Sequence, residues 1–331
     1  MENQFKALLV TEEDGEYRAR VSSLSIADLP KNEVLIKVKY SSVNFKDSMS
    51  AVGNKGVTRK FPHVPGIDAA GEVVSSTVDK LKKGDKVLVT GYDLGMNTWG
   101  GFGEYISVPA SWVIALPEKL SPLEAMSYGT AGLTSGLSVY ELIQAGVRPE
   151  NGTIVVSGAT GGVGSLAVAI LSKLGYDVLA ITGKDQNKFL TETLGAASVI
   201  SRQEFIDKYD SGLISGSEFA GGIDAVGGNI LSGILKATKY NGAVTCCGLV
   251  ASPKIETSIF PFILRNVKLL GIDSVEQPLD HKEKIWQLLA DEWKPTVLSS
   301  IVKEISLEEL PLALTEIREG KAIGRFVLKH D

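Results

Sequence analysis

The feature that most constrains this chain is the glycine-rich segment at residues 158–164, GATGGVG. It follows a largely β-branched run at residues 153–157 and precedes an apolar stretch with helical spacing at residues 165–174. A strand that turns tightly into a helix on several glycines exposes backbone N–H groups at the helix N-terminus, and a pyrophosphate binds at such a place. The segment therefore predicts a dinucleotide site.

The glycines keep most of the pattern G-x-G-x-x-G. Gly161 and Gly164 occupy its last two positions, and Ala159 occupies the first. The pattern alone also fits an ordinary strand-to-helix turn, but its place in a region of alternating strands and helices favours a cofactor turn. We expect the cofactor to be held there by Ala159, Thr160, Gly161, Gly162 and Val163.

The end of the next strand indicates which dinucleotide binds. A site that prefers NAD usually has an acidic residue about 20 residues beyond the glycines, but here the strand ends in Thr182, Gly183 and Lys184. A hydroxyl and a cation suit the 2′-phosphate of NADPH, and Arg202 adds a second positive charge. Two alternatives stay open: Asp185 turns inward instead, or both cations are solvated surface charges.

The pattern of apolar runs and turns along the chain predicts two domains. The first third alternates short apolar runs with turns, which is typical of a β-rich domain. Ser121, Pro122 and Glu124 form a capping pattern that starts a helix, and strands alternate with helices from about residue 152, which predicts a parallel sheet. The strand-like segment that begins at Arg325 returns to the β-rich domain.

Composition excludes several classes of function. The formal net charge is −5 and the cations are scattered, so we expect no nucleic-acid partner. No stretch reaches the roughly 18 apolar residues of a membrane span, and the first 17 residues lack the pattern of a secretion signal. We therefore expect a cytoplasmic protein that binds small molecules and no membrane.

The few cysteines and histidines predict neither disulfides nor a metal site. Cys246 and Cys247 are neighbours and cannot link distant parts of the chain. His63, His281 and His330 are isolated from one another and have no cysteine at metal-ligand spacing.

Seven segments carry a family resemblance. Four resemble the medium-chain dehydrogenase/reductase superfamily: residues 40–47 (YSSVNFKD), 65–71 (PGIDAAG), 129–132 (GTAG) and 157–164 (SGATGGVG). Three are similar to its zinc-independent acrylyl-CoA reductase and quinone oxidoreductase group: residues 99–101 (WGG), 261–267 (PFILRNV) and 271–274 (GIDS).

The resemblance implies an α/β protein with a GroES-like β-barrel domain at residues 1–122 and 300–331, and a Rossmann domain at residues 123–299. Zinc-containing relatives have a Cys ligand where Asn44 stands and Gly-His-Glu where this chain has Gly66, Ile67 and Asp68. Zinc chemistry is therefore not expected.

The implied reaction is hydride transfer from NADPH to the β-carbon of an acrylyl-CoA-like thioester. Negative charge then develops on the carbonyl oxygen, which needs hydrogen-bond donors. Asn44 is the predicted catalytic donor and also a cofactor contact, although a loop Asn can instead bond its own backbone. Asp47 and Asp68 could orient a neighbouring donor or serve in a proton relay, although an Asp in a turn more often satisfies local backbone N–H groups.

Other residues are expected near the cofactor, each with a structural alternative. Phe45 lines the nicotinamide or belongs to the core, and Thr130 contacts the cofactor or caps a helix. Leu249 and Ser274 follow successive strands and are predicted nicotinamide contacts. Arg265 binds a phosphate or caps the C-terminus of the helix that precedes it.

Three functions remain compatible with the sequence. The first is reduction of an enoyl-CoA, the second is reduction of a quinone, and the third is an NADPH-binding regulatory protein with little turnover. A homodimer that pairs through the sheet edge near residues 243–272 is also expected.

Overall fold

The computed structural model describes residues 4–331. The strands, in chain order, are β1 (Gln4–Glu13), β2 (Glu16–Ser25), β3 (Val34–Val43), β4 (Asp68–Ser76), β5 (Lys86–Thr90), β6 (Tyr105–Val108), β7 (Ile114–Ala115), β8 (Ile154–Val156), β9 (Val178–Thr182), β10 (Ser198–Ser201), β11 (Phe219–Asp224), β12 (Thr238–Cys246), β13 (Lys268–Gly271), β14 (Val302–Ile305) and β15 (Arg325–Lys329). The α-helices are α1 (Phe45–Ser50), α2 (Pro122–Gln144), α3 (Gly162–Lys173), α4 (Arg202–Tyr209), α5 (Gly228–Ala237), α6 (Phe260–Arg265), α7 (Leu279–Ala290) and α8 (Leu310–Arg318).

Two compact units make up the chain. The first contains the chain up to Thr130, Val275–Ala290 and Ile301–Asp331, and the second contains Ala131–Ser274 and Asp291–Ser300. The sequence suggested a first boundary at 122, whereas the units divide after Thr130. The reason is that the first turns of α2 contribute side-chain and backbone contacts to the first unit.

The first unit is built on a mostly antiparallel sheet, in which β14 and β15 pair in parallel. Its strand order is β14-β15-β3-β4-β5-β7, with β6 also paired to β3, and β1 and β2 form a separate hairpin. Alternation along β4 and β5 sends Ala69 and Val89 into an apolar core, while Asp68 and Thr90 point to the opposite face. The last strand, β15, pairs with β3, which confirms the predicted return of the C-terminal segment.

The second unit is a six-stranded sheet with the order β10-β9-β8-β11-β12-β13, and every neighbouring pair is parallel. This order is that of a doubly wound dinucleotide-binding fold, in which ligands bind beyond the carboxyl ends of the strands. The predicted parallel sheet is therefore confirmed. Helix α3 begins at Gly162 and not near Ser165, because the last residues of the glycine segment, from Gly162 to Gly164, already lie in the helix.

Helix α2 starts as the sequence predicts and then kinks. The Ser121 hydroxyl accepts from the Glu124 N–H at 3.2 Å, and the Glu124 carboxylate accepts from the Ser121 N–H at 2.8 Å. At Gly129 the backbone leaves helical geometry, with φ 52° and ψ −155°. A Cβ there would meet the Ser42 hydroxyl and lie 2.7 Å from the Asp68 carboxylate, so the kink requires glycine.

No helix within residues 4–331 is long and apolar enough to cross a membrane.

Candidate active site

Buried polar side chains meet in the first unit at the ends of several elements. We call this group the polar cluster, and its members are Ser42, Asn44, Asp47, Asp68, Thr130 and Arg325. They come from the end of β3, the start of α1, the first residue of β4, the kink of α2 and the first residue of β15.

Asp68 is the main acceptor of the polar cluster. Its carboxylate accepts from the Ser42 hydroxyl, from Asn44 Nδ2 at 2.9 Å, and from the Thr130 N–H at 2.7 Å and hydroxyl at 2.5 Å. The residue is fully buried. A buried carboxylate is costly unless it is paired and hydrogen-bonded, so these donors hold a negative charge in place.

Asn44 is fixed from both ends of its amide. Nδ2 donates to Asp68 and to the Ser42 hydroxyl at 3.0 Å, and Oδ1 accepts from Arg325 Nη2 at 3.1 Å. The residue is 8% exposed. The amide orientation is therefore set by Arg325 on its oxygen side and by Asp68 on its nitrogen side, and Nδ2 also lies 3.4 Å from the Ser42 carbonyl oxygen.

Arg325 brings a buried cation into the polar cluster. Its Nε donates to the Ser127 carbonyl at 3.2 Å and Nη1 donates to the Val43 carbonyl at 3.4 Å. Burial lowers the pKa of the guanidinium, and the charges of Asp68 and Asp47 oppose that shift. Sequence reasoning missed this role; the only local signal was a charged residue at the head of an apolar strand.

Asp47 braces the backbone around the polar cluster. It accepts from the Asn44 N–H at 2.8 Å, the Gly66 N–H at 3.1 Å and the Ile67 N–H at 2.9 Å. Burial, followed by the charge of Asp68, raises the pKa of Asp47 to about 7. Asp68 thus orients the side-chain donors around it, whereas Asp47 satisfies backbone N–H groups, which is the structural alternative for an Asp in a turn.

The predicted cofactor turn lies in the second unit, between β8 and α3. Gly158 has φ +60°, and a Cβ on Gly164 would meet the Gly158 carbonyl oxygen and approach Ala159 Cα at 2.8 Å. The turn and the first turn of α3 are therefore packed backbone to backbone, with Gly161 at the helix N-cap. Such a surface admits a phosphate group close to the main chain.

A buried acid at the end of a neighbouring strand holds this turn. Asp224 ends β11, and its carboxylate accepts from the Ser157 hydroxyl at 2.7 Å and from the Gly227 N–H at 2.7 Å. The Ser157 hydroxyl also accepts from the Ala225 N–H at 2.9 Å. Asp224 thus ties the strand before the glycines to the end of the neighbouring strand.

The residues predicted to select the cofactor come together. Thr182 of β9 pairs in register with Ser201 of β10, so Arg202 begins α4 directly beside Thr182. The guanidinium carbon of Arg202 lies 3.5 Å from where a Cβ on Gly183 would be. The Lys184 N–H donates to the Thr182 hydroxyl at 3.0 Å, and burial lowers the pKa of the Lys184 amine.

The remaining predicted contacts differ in their surroundings. Phe45 is 44% exposed and Leu249 is 64% exposed, so neither is a core side chain. Ser274 is buried and accepts from the Thr134 hydroxyl at 2.8 Å. Thr130 donates to Asp68 through both its N–H and its hydroxyl, and its direct contact with a cofactor stays a prediction.

Arg265 neither caps the helix that precedes it nor is placed at the glycine turn. Its guanidinium donates to the carbonyls of Lys236 at 3.0 Å, Thr238 at 3.2 Å and Ser215 at 2.6 Å. It therefore caps the C-terminus of α5 and not that of its own helix, because α6 lies against the neighbouring β12.

Between residues 4 and 331, no three His, Cys, Asp or Glu side chains are grouped so that they could hold a metal ion.

Comparison with known proteins gives two family matches. The alcohol dehydrogenase GroES-like domain matches residues 30–118, and the zinc-binding dehydrogenase family matches residues 162–291. The predicted fold class, a GroES-like domain with a Rossmann parallel-sheet domain, is confirmed by these matches together with the sheet topology.

Several relatives are similar over the full length. A Bacillus subtilis protein named provisionally as a quinone oxidoreductase, YhfP, is 44% identical and covers 99% of this chain and 100% of its own. Acrylyl-CoA reductase AcuI of Ruegeria pomeroyi is 41% identical and covers 98% of both chains. The crystal structure of the YhdH oxidoreductase of Salmonella enterica in complex with NADP matches with a TM-score of 0.95 and 39% identity, over 98% of this chain and 100% of that one.

Proposed function

The chain belongs to the medium-chain dehydrogenase/reductase superfamily of oxidoreductases, in the group that includes AcuI and YhdH, and from this we propose that it reduces the C=C bond of an α,β-unsaturated acyl-CoA with NADPH and without a metal ion. The buried polar cluster around Asn44 is the observation that carries this proposal. It presents polar side chains and a guanidinium, in a chain similar from end to end to an acrylyl-CoA reductase.

The second unit fits NADPH. The glycine turn offers main-chain N–H groups for the pyrophosphate, and Thr182, Lys184 and Arg202 offer a hydroxyl and two cations for the 2′-phosphate. When bound, NADPH supplies the hydride. The YhdH structure contains NADP and a YhfP structure contains NAD, so the phosphate preference of this chain rests on its own three side chains.

The reaction balances without a metal. The hydride forms a bond to the β-carbon, the π electrons of the C=C bond move toward the carbonyl oxygen to give an enolate, and a proton from solvent then adds to the α-carbon. The protein must stabilise the enolate oxygen with oriented donors in a site that excludes water.

Asn44 is the proposed donor of the polar cluster. Both hydrogens of its amide are engaged in the structure, one by charged Asp68 and one by the neutral Ser42 hydroxyl. The neutral acceptor is the weaker of the two, so the substrate carbonyl oxygen replaces Ser42 when it binds. Arg325 polarises the amide from its oxygen side and makes Nδ2 a better donor.

The test of this function compares acceptors. We expect saturable consumption of NADPH with acrylyl-CoA and slower turnover of crotonyl-CoA and of a simple quinone, measured side by side. Saturable turnover of the quinone alone would reject the proposal in favour of the quinone reductase that the YhfP name suggests. Tight NADPH binding without turnover of any acceptor would indicate the regulatory protein.

We also propose a homodimer formed at the free edge of the second unit. Strand β13 is the edge strand of the parallel sheet, and α6 exposes Ile263 and Leu264. An unpaired edge beside exposed apolar side chains favours pairing with a second copy across a two-fold axis. A cytoplasmic location is proposed from the composition, since Cys246 and Cys247 are free thiols.

A further inference from the structure

Thr90 lies beside the polar cluster but is not hydrogen-bonded to it. Asp68 and Thr90 are direct partners in the antiparallel pair of β4 and β5. Such partners project to the same face of a sheet with Cβ atoms about 5 Å apart. Because Ala69 and Val89 belong to the apolar core on the other face, the Thr90 hydroxyl shares the face of the Asp68 carboxylate.

The Thr90 hydroxyl is buried without a hydrogen-bond partner. The residue is 1% exposed, and no residue within 4–331 accepts from or donates to its Oγ1. Leaving a buried hydroxyl unsatisfied costs about 1–3 kcal/mol, and such groups call for an explanation. The other donors on this face are committed: the hydroxyls of Ser42 and Thr130 both donate to Asp68.

The backbone that carries Thr90 is held firmly. The fully buried Lys282 ammonium donates to the Thr90 carbonyl at 2.8 Å and to the Val275 carbonyl at 2.8 Å. The next residue, Gly91, donates its N–H to the Ile67 carbonyl at 3.0 Å. The hydroxyl therefore projects from a fixed point and is not the side chain of a mobile loop.

We propose that Thr90 is a second catalytic donor, whose hydroxyl donates to the thioester carbonyl oxygen and stabilises the enolate together with Asn44. This role rests on the proposed function. It supplies a donor whose hydrogen is not already engaged, which the enolate oxygen requires in addition to the shared amide of Asn44.

The test uses three variants of the whole protein. Thr90→Val removes the hydroxyl and keeps the shape, and Thr90→Ser restores the hydroxyl. Thr245→Val is the matched control, because Thr245 in the second unit is also fully buried with an unpartnered hydroxyl and lies outside the polar cluster and the glycine turn. Each variant is characterised by kcat/KM for acrylyl-CoA, by Kd for NADPH and by melting temperature.

We expect Thr90→Val to lower kcat/KM by about 100-fold, the usual effect of deleting one donor to a developing oxyanion. Its Kd for NADPH should be unchanged and its melting temperature should not fall below that of the wild type. Thr90→Ser should recover most of the activity, and Thr245→Val should leave kcat/KM unchanged. An unchanged kcat/KM in Thr90→Val overturns the proposal. A large fall in its melting temperature also overturns it, since the hydroxyl would then have a structural partner.

Failure of the enoyl-CoA proposal would be seen separately, in the wild type. If the wild type reduces only a quinone, the same variants are compared on that quinone, where negative charge also develops on a carbonyl oxygen. A loss confined to Thr90→Val would retain Thr90 as a donor although the substrate class had changed. Equal rates in all variants would overturn its role.

Discussion

The glycine turn is built from consecutive residues, 158–164, whereas the polar cluster draws its side chains from residues 42–47, 68, 130 and 325. The glycine turn acts through its main-chain N–H groups, which a ligand can approach because most residues of the turn have small side chains or none. The polar cluster works through side chains that satisfy one another in a buried place. The glycine turn lies within one segment of the chain, while the polar cluster exists only when distant segments have folded together.

Removal of the Arg325 cation should disrupt the polar cluster and have the largest effect of the substitutions on stability and activity. In Arg325→Met, the carboxylates of Asp68 and Asp47 lose the nearby positive charge and Asn44 loses its Oδ1 partner. We expect the free energy of unfolding to fall by about 3–5 kcal/mol and kcat to fall by more than tenfold. Urea unfolding and steady-state rates measure this, and Arg265→Met is the control for loss of a capping arginine outside the polar cluster. Wild-type kcat in Arg325→Met would separate the polar cluster from catalysis.

The raised pKa of Asp47 predicts a pH dependence of stability. Its pKa rises from the usual 3.8 to about 7 in the folded protein, so the folded state holds a proton that the unfolded state has released between these values. The free energy of unfolding should therefore fall as pH rises from 4 through 7, by up to about 4 kcal/mol at 1.36 kcal/mol per pKa unit.

This dependence is measured by urea unfolding at several pH values in wild type and Asp47→Asn. Burial lowers the pKa values of His63 and His330, which changes stability in the opposite direction in both proteins, so the difference between the two curves isolates Asp47. Parallel curves would show that Asp47 is ionised throughout.

A side chain at Gly164 should disable the turn without touching the polar cluster. The added methyl of Gly164→Ala would meet the Gly158 carbonyl oxygen and push the start of α3 away from the turn. We expect Kd for NADPH, measured by fluorescence titration, to rise by about 100-fold, as for a binding geometry displaced by about 1 Å. Gly271→Ala is the control, because its methyl meets no atom within 4 Å. Equal affinities in the two variants would contradict backbone packing as the basis of the turn.

Substitutions that change the preference for NADPH over NADH should have the smallest effect on cofactor binding. Arg202→Leu removes one of two cations near Thr182, and Kd for NADPH should rise by about tenfold while Kd for NADH stays constant. Lys184→Glu should act in the same direction. Lys173→Leu, at the far end of α3, controls for the loss of an exposed charge. An equal rise in Kd for NADPH and NADH would show that Arg202 does not contact the 2′-phosphate.

The sequence was sufficient for the turn because every part of its signal is local. The β-branched strand, the glycines and the apolar helix follow one another in the chain, and Thr182 with Lys184 marks the end of the next strand. The start of α3 was misplaced by a few residues, since Gly162 and Gly164 already belong to the helix. Arg202 could be named from its charge, but its position beside Gly183 depends on the register of β9 and β10.

The polar cluster was only partly predictable. Asn44 was chosen because its segment resembles a known family, but its partner Arg325 lies 281 positions away and shares no local pattern with it. The unit boundary within α2 was missed for a similar reason, because the need for Gly129 arises from its contact with Ser42 and Asp68. Tertiary contacts, and not local propensity, determine these features.

The transfer of hydride from NADPH to the β-carbon can be followed with a single deuterium atom. NADPH dideuterated at nicotinamide C4 is incubated with acrylyl-CoA in ordinary water, and the saturated product is analysed by mass spectrometry and NMR. Hydride transfer from the cofactor and protonation by solvent predict one deuterium on the β-carbon and none on the α-carbon. A product without deuterium, or with deuterium on the α-carbon, would contradict this mechanism.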